Sequence, residues 1–469
     1  MLVAPLKFRA ADDGNVFFAD DAGGFFKAGE AFLHRYARDE LLASDLAFLN
    51  AIGSAFSEVG DLTYLGFEQR FASRLYLPAE IDYVILVPTL RCNLACGYCQ
   101  VSRVNEGTRG FDWDAETLAG VVSFLDGLST TTIKIEFQGG EPLLRLDVIK
   151  DVMEFCRGKF DHCEFVICTN LQEVSEEAWA VLEEPDVFTS TSLDATRAIH
   201  QAQRTVSDEK TTAFFTNLDT AIERLGAEKV SALPTIDPRK APPSSALIES
   251  FVHYGFRSIY LRPVNHQGFA RKKFDARESA AVWNQYHSEF IDELVAFNWD
   301  ADQPVEEYYF THCLRRVLRS GHNHHADLRN PNIIGESYVV IDYDGKFYPT
   351  DEARMVTRVG QLDLSMGDVF SGMNRDKIEV LNSEAINNFH PDCVHCPYQA
   401  FCGVDLVDDL SRYGRIDHPK HLTDFCQRHT YLFDKIFSLI YSDDPRVQKS
   451  LAIWSGSARF DRSLAKSHR

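Results

Sequence analysis

The chain has 469 residues, of which 45% are hydrophobic and 12% aromatic. This is enough apolar material for about three domains of average size. Lys and Arg number 48 against 69 Asp and Glu, which gives a formal charge of −21. So acidic a chain is a poor electrostatic partner for a phosphate backbone, and we expect no nucleic-acid substrate.

Targeting and membrane signals are not evident in the sequence. The first residues lack the basic region, apolar core and cleavage site of a secretory signal, and no apolar run has membrane-spanning length. The chain contains 11 cysteines, which in this setting are typical of reduced thiols and metal ligands rather than disulfides. We therefore expect a cytoplasmic protein without a membrane partner.

Residues 1–80 are predicted to form a small α+β domain. Short alternating runs at 6–9, 16–19 and 25–27 are separated by Asp- and Gly-rich turns, as in an antiparallel sheet. Helical patterns at about 30–37 and 40–58 follow the strands. An N-terminal extension that packs on the next domain has the same pattern.

Residues 81–297 alternate between strand-like and helix-like segments, which is typical of a parallel sheet with helices outside. The strands are predicted at 83–87, 132–137, 164–169, 187–193, 229–234 and 257–263. The helices are predicted at 114–127, 146–157, 174–183, 212–225, 243–254 and 278–295. After about residue 300 the alternation stops. A cysteine-bearing domain is predicted over 298–445 and a loosely ordered basic tail over 446–469.

The most informative motif follows the first of these strands. Cys92, Cys96 and Cys99 have C-x3-C-x2-C spacing, with Tyr98 before the last cysteine. Three thiolates can ligate three irons of a [4Fe–4S] cube and leave the fourth iron open to a small molecule. A zinc knuckle is the alternative, but zinc sites favour paired C-x2-C spacing with a further ligand nearby. The motif resembles that of the radical S-adenosylmethionine (SAM) enzymes, and this resemblance implies a partial (β/α)6 barrel.

The second strand is followed by a further motif of the same family. Glycines 139 and 140 allow a close approach of the backbone to a ligand, and the resemblance implies that this motif binds the amino group of SAM. An ordinary strand-to-helix turn is the alternative. The motif consists of Gln138, Gly139, Gly140, Glu141 and Pro142.

Polar residues at later strand ends extend the resemblance. It implies that Thr169 and Asn170 contact SAM, although Leu171 stands where the family has glycine. It also implies that Ser192 and Asp194 face the ribose and that Arg204 pairs with the SAM carboxylate, a charge-assisted contact. Helix caps or solvated side chains are the alternative for each of these residues.

A second group of cysteines resembles part of the SPASM domain of peptide-modifying radical SAM enzymes. That resemblance implies one auxiliary [4Fe–4S] cluster, and so two clusters in total. A zinc site is the alternative. Ligands of a further auxiliary cluster are missing, because Leu406 and Thr350 stand where the family has cysteine. The four cysteines of this group are Cys393, Cys396, Cys402 and Cys426.

The remaining candidates lie outside these motifs. Asp351 follows Tyr348-Pro349-Thr350 at a position where sulfatase-maturing relatives have a catalytic base, although a surface acid has the same pattern. We expect Cys156, Cys163, Cys168 and Cys313 to be structural. His322, His324 and His325 resemble a metal site, but the Gly and Asn residues around them favour a solvated loop.

Over its length the chain resembles the His-Xaa-Ser system radical SAM maturase, B member. The resemblance lies in the segments 261–271, 306–316, 348–355 and 402–415. It implies 5′-deoxyadenosyl radical chemistry that oxidises or cross-links a residue of a ribosomally made precursor peptide with His-Xaa-Ser repeats. It further implies a companion radical SAM protein, a flavodoxin or ferredoxin as reductant, and a peptide-recognition element in residues 1–80.

Two other functions stay open at this point. One is a sulfatase-type maturase that forms formylglycine. The missing cysteine ligands of the further auxiliary cluster count against this function. The other is a non-catalytic scaffold for the companion protein.

Overall fold

The computed structural model describes residues 1–11, 13–77, 80–99, 102–272, 280–321 and 325–468. Its central element is a seven-stranded sheet, in which five parallel strands follow one another in chain order from the centre to one edge. These strands are Tyr83–Leu86, Thr132–Phe137, His162–Cys168, Val187–Thr191 and Val230–Ala232.

Helices connect the parallel strands, as the alternating pattern predicts. Three of them begin at a side chain that caps the helix, and one of these is Ser207. Asp114 accepts a hydrogen bond from the Thr117 amide, and Ser175 accepts one from the Ala178 amide. The connecting helices are Ala115–Asp126, Leu146–Lys159, Glu176–Leu182, Arg197–His200, Asp208–Leu225 and Ser244–His253, followed by Ala280–Asp300. The predicted strands and helices of this region are confirmed within a few residues, while 278–279 lie outside the described residues.

The last two predicted strands are each divided into short pieces. Thr235–Ile236 pairs in parallel with Arg262–Pro263, and Ser258–Ile259 pairs in parallel with Glu306–Glu307. These two-residue ladders continue the strand series beyond Val230–Ala232.

The other edge of the main sheet contains strands that the alternating pattern did not predict. Tyr338–Ile341 pairs in parallel with Tyr83–Leu86, the first strand of the series. Phe347–Tyr348 then pairs with Tyr338–Ile341 in an antiparallel hairpin. The predicted end of the alternation near residue 300 therefore does not mark the end of the sheet.

Residues 1–80 form the predicted small sheet with helices. Leu6–Ala10, Val16–Asp20 and Phe25–Ala28 are antiparallel neighbours, and Phe18, Phe26 and Phe32 pack in a separate apolar cluster. The helices are Glu30–Ala37, Ala43–Ala51 and Leu62–Ala72, and a short ladder joins Leu2–Val3 to Ala55–Phe56. The predicted helix at 40–58 is thus shorter than expected.

The prediction of a loosely ordered tail was wrong. Residues Pro445–Trp454 form a helix whose Trp454 is fully buried. Ser467–His468 then pairs in parallel with Phe25–Ala28. The His468 ring stacks on Phe48, and its Nε2 lies 2.7 Å from Asp45 Oδ1. Basic composition indicated exposure, but apolar residues at helical spacing and this aromatic contact order the segment.

The remaining part of the chain is helical with irregular connections. Its long helix Asp424–Ile440 packs on Ala280–Asp300. No helix in the described ranges has both the length and the apolar character needed to cross a membrane. The helices of this part are Tyr308–Leu318, Asp351–Arg358, Glu379–Asn382, Leu406–Tyr413 and Asp424–Ile440. It also contains the two-residue ladder of Gly367–Asp368 with Gly372–Met373. A similar ladder, of Arg91–Cys92 with Val104–Asn105, lies after the first strand of the main sheet.

Candidate active site

A cavity of about 1170 Å³ lies against the main sheet and brings most of the predicted site residues together. Those on its wall are Cys92, Cys96, Tyr98, Cys99, Gln138, Gly139, Gly140, Thr169, Asn170, Ser192, Arg204 and Asp351. Glu141, Pro142 and Asp194 are buried and are not among the residues that line it.

The three thiols of the first motif lie on one loop at the cavity wall. The Leu94 amide donates to Cys92 Sγ at 3.4 Å, and the Asn170 side chain lies 3.7 Å from the same sulfur. Burial raises the pKa of the Cys92 thiol to about 12. A cationic iron cluster would offset the cost of ionising these thiols. Three thiols facing one cavity fit a cluster with an open iron.

The glycine pair has a second structural reason besides the predicted approach to a ligand. A Cβ on Gly140 would lie 2.1 Å from the Arg91 carbonyl oxygen, and one on Gly139 would lie 2.3 Å from that of Thr89. The Gly140 amide also donates to Thr89 O at 2.9 Å. The glycines therefore let this turn lie directly against the cysteine loop, in addition to presenting their backbone to the cavity.

Glu141 supports the wall from behind. Its carboxylate accepts hydrogen bonds from the Asn170 amide at 2.8 Å and from the Leu143 amide at 3.1 Å. Burial raises its pKa to about 7. Leu171, which replaces the family glycine, has φ of +54°, in the left-handed region that glycine adopts without strain. The backbone at this turn thus keeps a glycine-like conformation.

Arg204 lies on the cavity wall and is held from behind by Asp194. Its Nε donates to Asp194 Oδ2 at 2.7 Å, and the Thr235 amide donates to Asp194 Oδ1 at 3.0 Å. The Tyr98 hydroxyl also donates to Asp194. Asp194 thus supports Arg204, and its predicted contact with the ribose stays a prediction. Ser192 remains on the wall, where the resemblance implies ribose contact.

A polar group that the sequence analysis missed projects into the cavity from the middle of the sheet. Glu136 Oε1 accepts a hydrogen bond from Gln138 Nε2 at 2.6 Å, and Cys168 Sγ lies 3.2 Å from the same oxygen. The Tyr83 hydroxyl donates to Glu136 Oε2 at 2.5 Å. Cys168 and Cys163 line the cavity, whereas Cys156 and Cys313 are fully buried. The structural role predicted for all four stays a prediction. Alternation along the strands, which places 134, 136 and 138 on one face, was the available signal.

Asp351 reaches the cavity from the start of helix Asp351–Arg358, whose cap is Thr350. The buried Arg354 donates from Nε to Asp351 Oδ1 at 2.9 Å. The next residue, Glu352, also lines the cavity, and burial together with the Asp351 charge raises its pKa to about 7. Two adjacent carboxyl groups thus line the cavity, of which the sequence analysis named one.

The four cysteines of the second group lie close to one another. Burial raises the pKa of Cys393 to about 12, with further contributions from the thiols of Cys396 and Cys426. Burial raises the pKa of Cys402 as well, and the nearby thiols of Cys426, Cys393 and Cys396 raise it further. The Cys396 amide donates to the Cys393 carbonyl at 2.9 Å, and Thr423 caps the helix that carries Cys426. Four neighbouring thiols fit a fully ligated cluster.

His429 lies beside this group. Its Nδ1 is 3.3 Å from Cys402 Sγ, and burial lowers its pKa to about 3. Among the described residues, no three His, Cys, Asp or Glu side chains are arranged to hold a single metal ion. His325 lines the cavity, and His322 and His324 lie outside the described residues.

Comparison with known proteins agrees with the first cysteine motif. Residues 86–224 match the family model of the Radical SAM superfamily. This match covers less than a third of the chain. A segment of 116 residues is 32% identical to an uncharacterized protein of Methanocaldococcus jannaschii, covering 24% of this chain and 39% of that protein. The chain thus spans about two fifths of the length of this curated relative.

Solved structures show the same fold over a larger part of the chain. The structure of native anSMEcpe with bound AdoMet has a TM-score of 0.61 and 19% identity, and the match covers 79% of this chain and 99% of that one. A second structure of anSMEcpe, with AdoMet and the Cp18Cys peptide, has a TM-score of 0.62 and 18% identity over the same shares. At this level of identity the two structures show a shared fold.

Proposed function

We propose that this chain reductively cleaves SAM to a 5′-deoxyadenosyl radical and uses it to oxidise or cross-link a residue of a ribosomally made precursor peptide. The observation that carries the proposal is the shared cavity: three cluster thiols, the glycine turn, Arg204 and Asp351 all line it. A radical source and an acid–base group facing the same space can act on one substrate.

Each part of the cavity wall has a distinct role in this proposal. Cys92, Cys96 and Cys99 hold the [4Fe–4S] cluster, which supplies the electron that cleaves SAM when bound. The backbone of Gly139 and Gly140 positions the SAM amino group. Arg204, fixed by its ion pair with Asp194, meets the carboxylate.

Asp351 is placed to take a proton from the substrate. Arg354 orients the carboxylate from behind, which is the arrangement expected of a fixed base. The four-thiol group, Cys393, Cys396, Cys402 and Cys426, would hold a second [4Fe–4S] cluster that supplies a one-electron acceptor. With both clusters present the chain carries two cofactor clusters and SAM.

The peptide type follows from the segments that carry the resemblance to the His-Xaa-Ser maturase. Each of them contributes to the cavity wall, through Arg262, Tyr308, Asp351 and Asp405, respectively. The side chains that would meet a peptide are therefore those in which this chain resembles that family. A His-Xaa-Ser precursor peptide, a companion radical SAM protein and a flavodoxin or ferredoxin reductant complete the proposal.

The test is anaerobic reconstitution with iron and sulfide, followed by dithionite and SAM. We expect about eight irons per chain and formation of 5′-deoxyadenosine that is lost in Cys96→Ala. With a His-Xaa-Ser peptide present, Asp351→Asn should retain SAM cleavage and reduce peptide modification by about 100-fold or more. Iron without SAM cleavage, or bound zinc, would contradict the catalytic function and favour the scaffold.

The Asp351 position also supports a second candidate, a formylglycine-forming maturase. Mass spectrometry of a Cys- or Ser-containing sulfatase peptide after turnover distinguishes the two activities. Formylglycine in that peptide, with an unmodified His-Xaa-Ser peptide, would favour the second candidate.

A further inference from the structure

One buried histidine contacts both the four-thiol group and a tyrosine next to the cavity. His429 Nδ1 lies 3.3 Å from Cys402 Sγ, and its Nε2 lies 2.7 Å from the Tyr309 hydroxyl. His429 is 2% exposed and Tyr309 is 8% exposed. Water therefore competes little for either contact.

The chemistry of an iron-bound sulfur fixes the direction of both hydrogen bonds. A ligating cysteine is a thiolate, which accepts hydrogen bonds and has no hydrogen to donate. Nδ1 of His429 must then carry the hydrogen, and Nε2 of the neutral ring is left to accept from the Tyr309 hydroxyl. Tyr309 thus selects the tautomer that donates to Cys402.

Tyr309 also links this pair to the cavity. Its ring stacks on that of Tyr260 with a centroid distance of 6.1 Å and meets the His325 ring edge-on at 5.3 Å. Both Tyr260 and His325 line the cavity. A continuous series of buried ring and hydrogen-bond contacts therefore connects the cavity with Cys402.

We propose that His429, oriented by Tyr309, donates a hydrogen bond to the Cys402 sulfur and raises the reduction potential of the iron–sulfur centre held by the four thiols. The inference rests on the proposed function, because it assumes that second cluster. A hydrogen bond to sulfur stabilises the reduced cluster, which carries the extra negative charge. The centre becomes a better electron acceptor, and the Tyr309–Tyr260 contact places it in communication with the substrate cavity.

The experiment isolates the second cluster in the full-length chain. Cys92, Cys96 and Cys99 are all changed to alanine, and the chain is reconstituted anaerobically and titrated by EPR against potential. In this background we compare His429→Phe, His429→Gln and Tyr309→Phe. The control is Tyr431→Phe. Tyr431 lies on the same helix as His429, and its hydroxyl is 3.0 Å from Nδ1 of His287, so the variant removes a different tyrosine–histidine contact. Arg316, whose positive charge interacts with the Cys402 sulfur, is kept in every variant.

We expect His429→Phe to shift the midpoint to a more negative potential. At the unsubstituted midpoint the ratio of oxidised to reduced centres should rise about tenfold, which for one electron corresponds to ~59 mV. His429→Gln retains an amide donor and should shift the midpoint less. Tyr309→Phe, which frees the tautomer, should shift it in the same direction, and Tyr431→Phe should leave it unchanged.

An unchanged midpoint in His429→Phe, with about four irons retained, would overturn the inference. If that variant binds no iron, the shifts in His429→Gln and Tyr309→Phe decide the question by the same titration. If the triple-alanine chain itself binds no cluster, the inference fails. SAM cleavage by the chain with its cysteines intact would still support the radical function, so the two failures are distinguishable.

Discussion

Arg204 on the cavity wall forms an ion pair with the buried Asp194 behind it, with Arg204 Nε 2.7 Å from Asp194 Oδ2. The same carboxylate accepts a hydrogen bond from the Tyr98 hydroxyl, and the guanidinium lies 5.1 Å from the centre of the Tyr98 ring. Tyr98 stands next to Cys99 in the cysteine loop. One carboxylate therefore fixes the proposed SAM-carboxylate site relative to the cluster loop.

Asp194→Asn should weaken SAM binding without removing the first cluster. The neutral amide no longer fixes the guanidinium, and the loss of one hydrogen bond to a charged group is worth about 1.5–3 kcal/mol. We expect KM for SAM to rise about tenfold or more, with the iron content retained. Arg197→Ala, at a more exposed arginine that pairs with Asp208, is the matched control and should not change KM. Equal KM values in the two variants would show that Asp194 does not position Arg204.

Gly140→Ala should disrupt the first cluster site. Its Cβ would lie 2.1 Å from the Arg91 carbonyl oxygen, so the turn must move away from the cysteine loop. We expect loss of about four irons and of 5′-deoxyadenosine formation. Gly158→Ala is the control, since a Cβ there meets no atom within 4 Å. Iron analysis and product chromatography of both variants provide the measurement, and full activity of Gly140→Ala would show that the cluster site tolerates a displaced turn.

Cys393→Ala should separate the two clusters. The four-thiol group lies outside the cavity wall formed by the first motif, so we expect loss of about four irons while SAM cleavage remains. Peptide modification should fall, because the electron acceptor is lost. Cys156→Ala, a fully buried thiol away from both groups, should keep all the iron. A Cys393→Ala chain that retains every iron would exclude Cys393 as a ligand.

We expect peptide modification to depend on pH near neutrality because of the ionisation of Glu352. Burial raises its pKa to about 7, so Glu352 is protonated below that pH and ionised above it. The ionised Glu352 carboxylate can itself accept a proton from a substrate in the cavity. Peptide modification should therefore rise about tenfold as pH passes upward through 7, and Glu352→Gln should remove this rise. A rise of the same size in the variant would assign the ionisation to another group.

The strand–helix alternation was predictable because it depends on local spacing, and Thr132–Phe137 begins and ends where expected. The pairing of Tyr338–Ile341 with the first strand was not, because it joins segments more than 250 residues apart and no local pattern records such a pairing. Cysteine spacing likewise indicated both thiol groups. The contact of Cys168 with Glu136 across the sheet was not predictable, because cysteine count alone does not reveal it.

The added strand also restricts how a peptide can enter. Four parallel register pairs join Tyr338–Ile341 to Tyr83–Leu86, one strand leading to the cysteine loop and the other, through its hairpin, to Asp351. The proposed radical source and the proposed base therefore follow neighbouring strands of one sheet, and separating them would break that ladder. The opposite wall is held by two-residue ladders such as Thr235–Ile236 with Arg262–Pro263. We expect the molecule to open on that side, with the distance between cluster and base unchanged through the catalytic cycle.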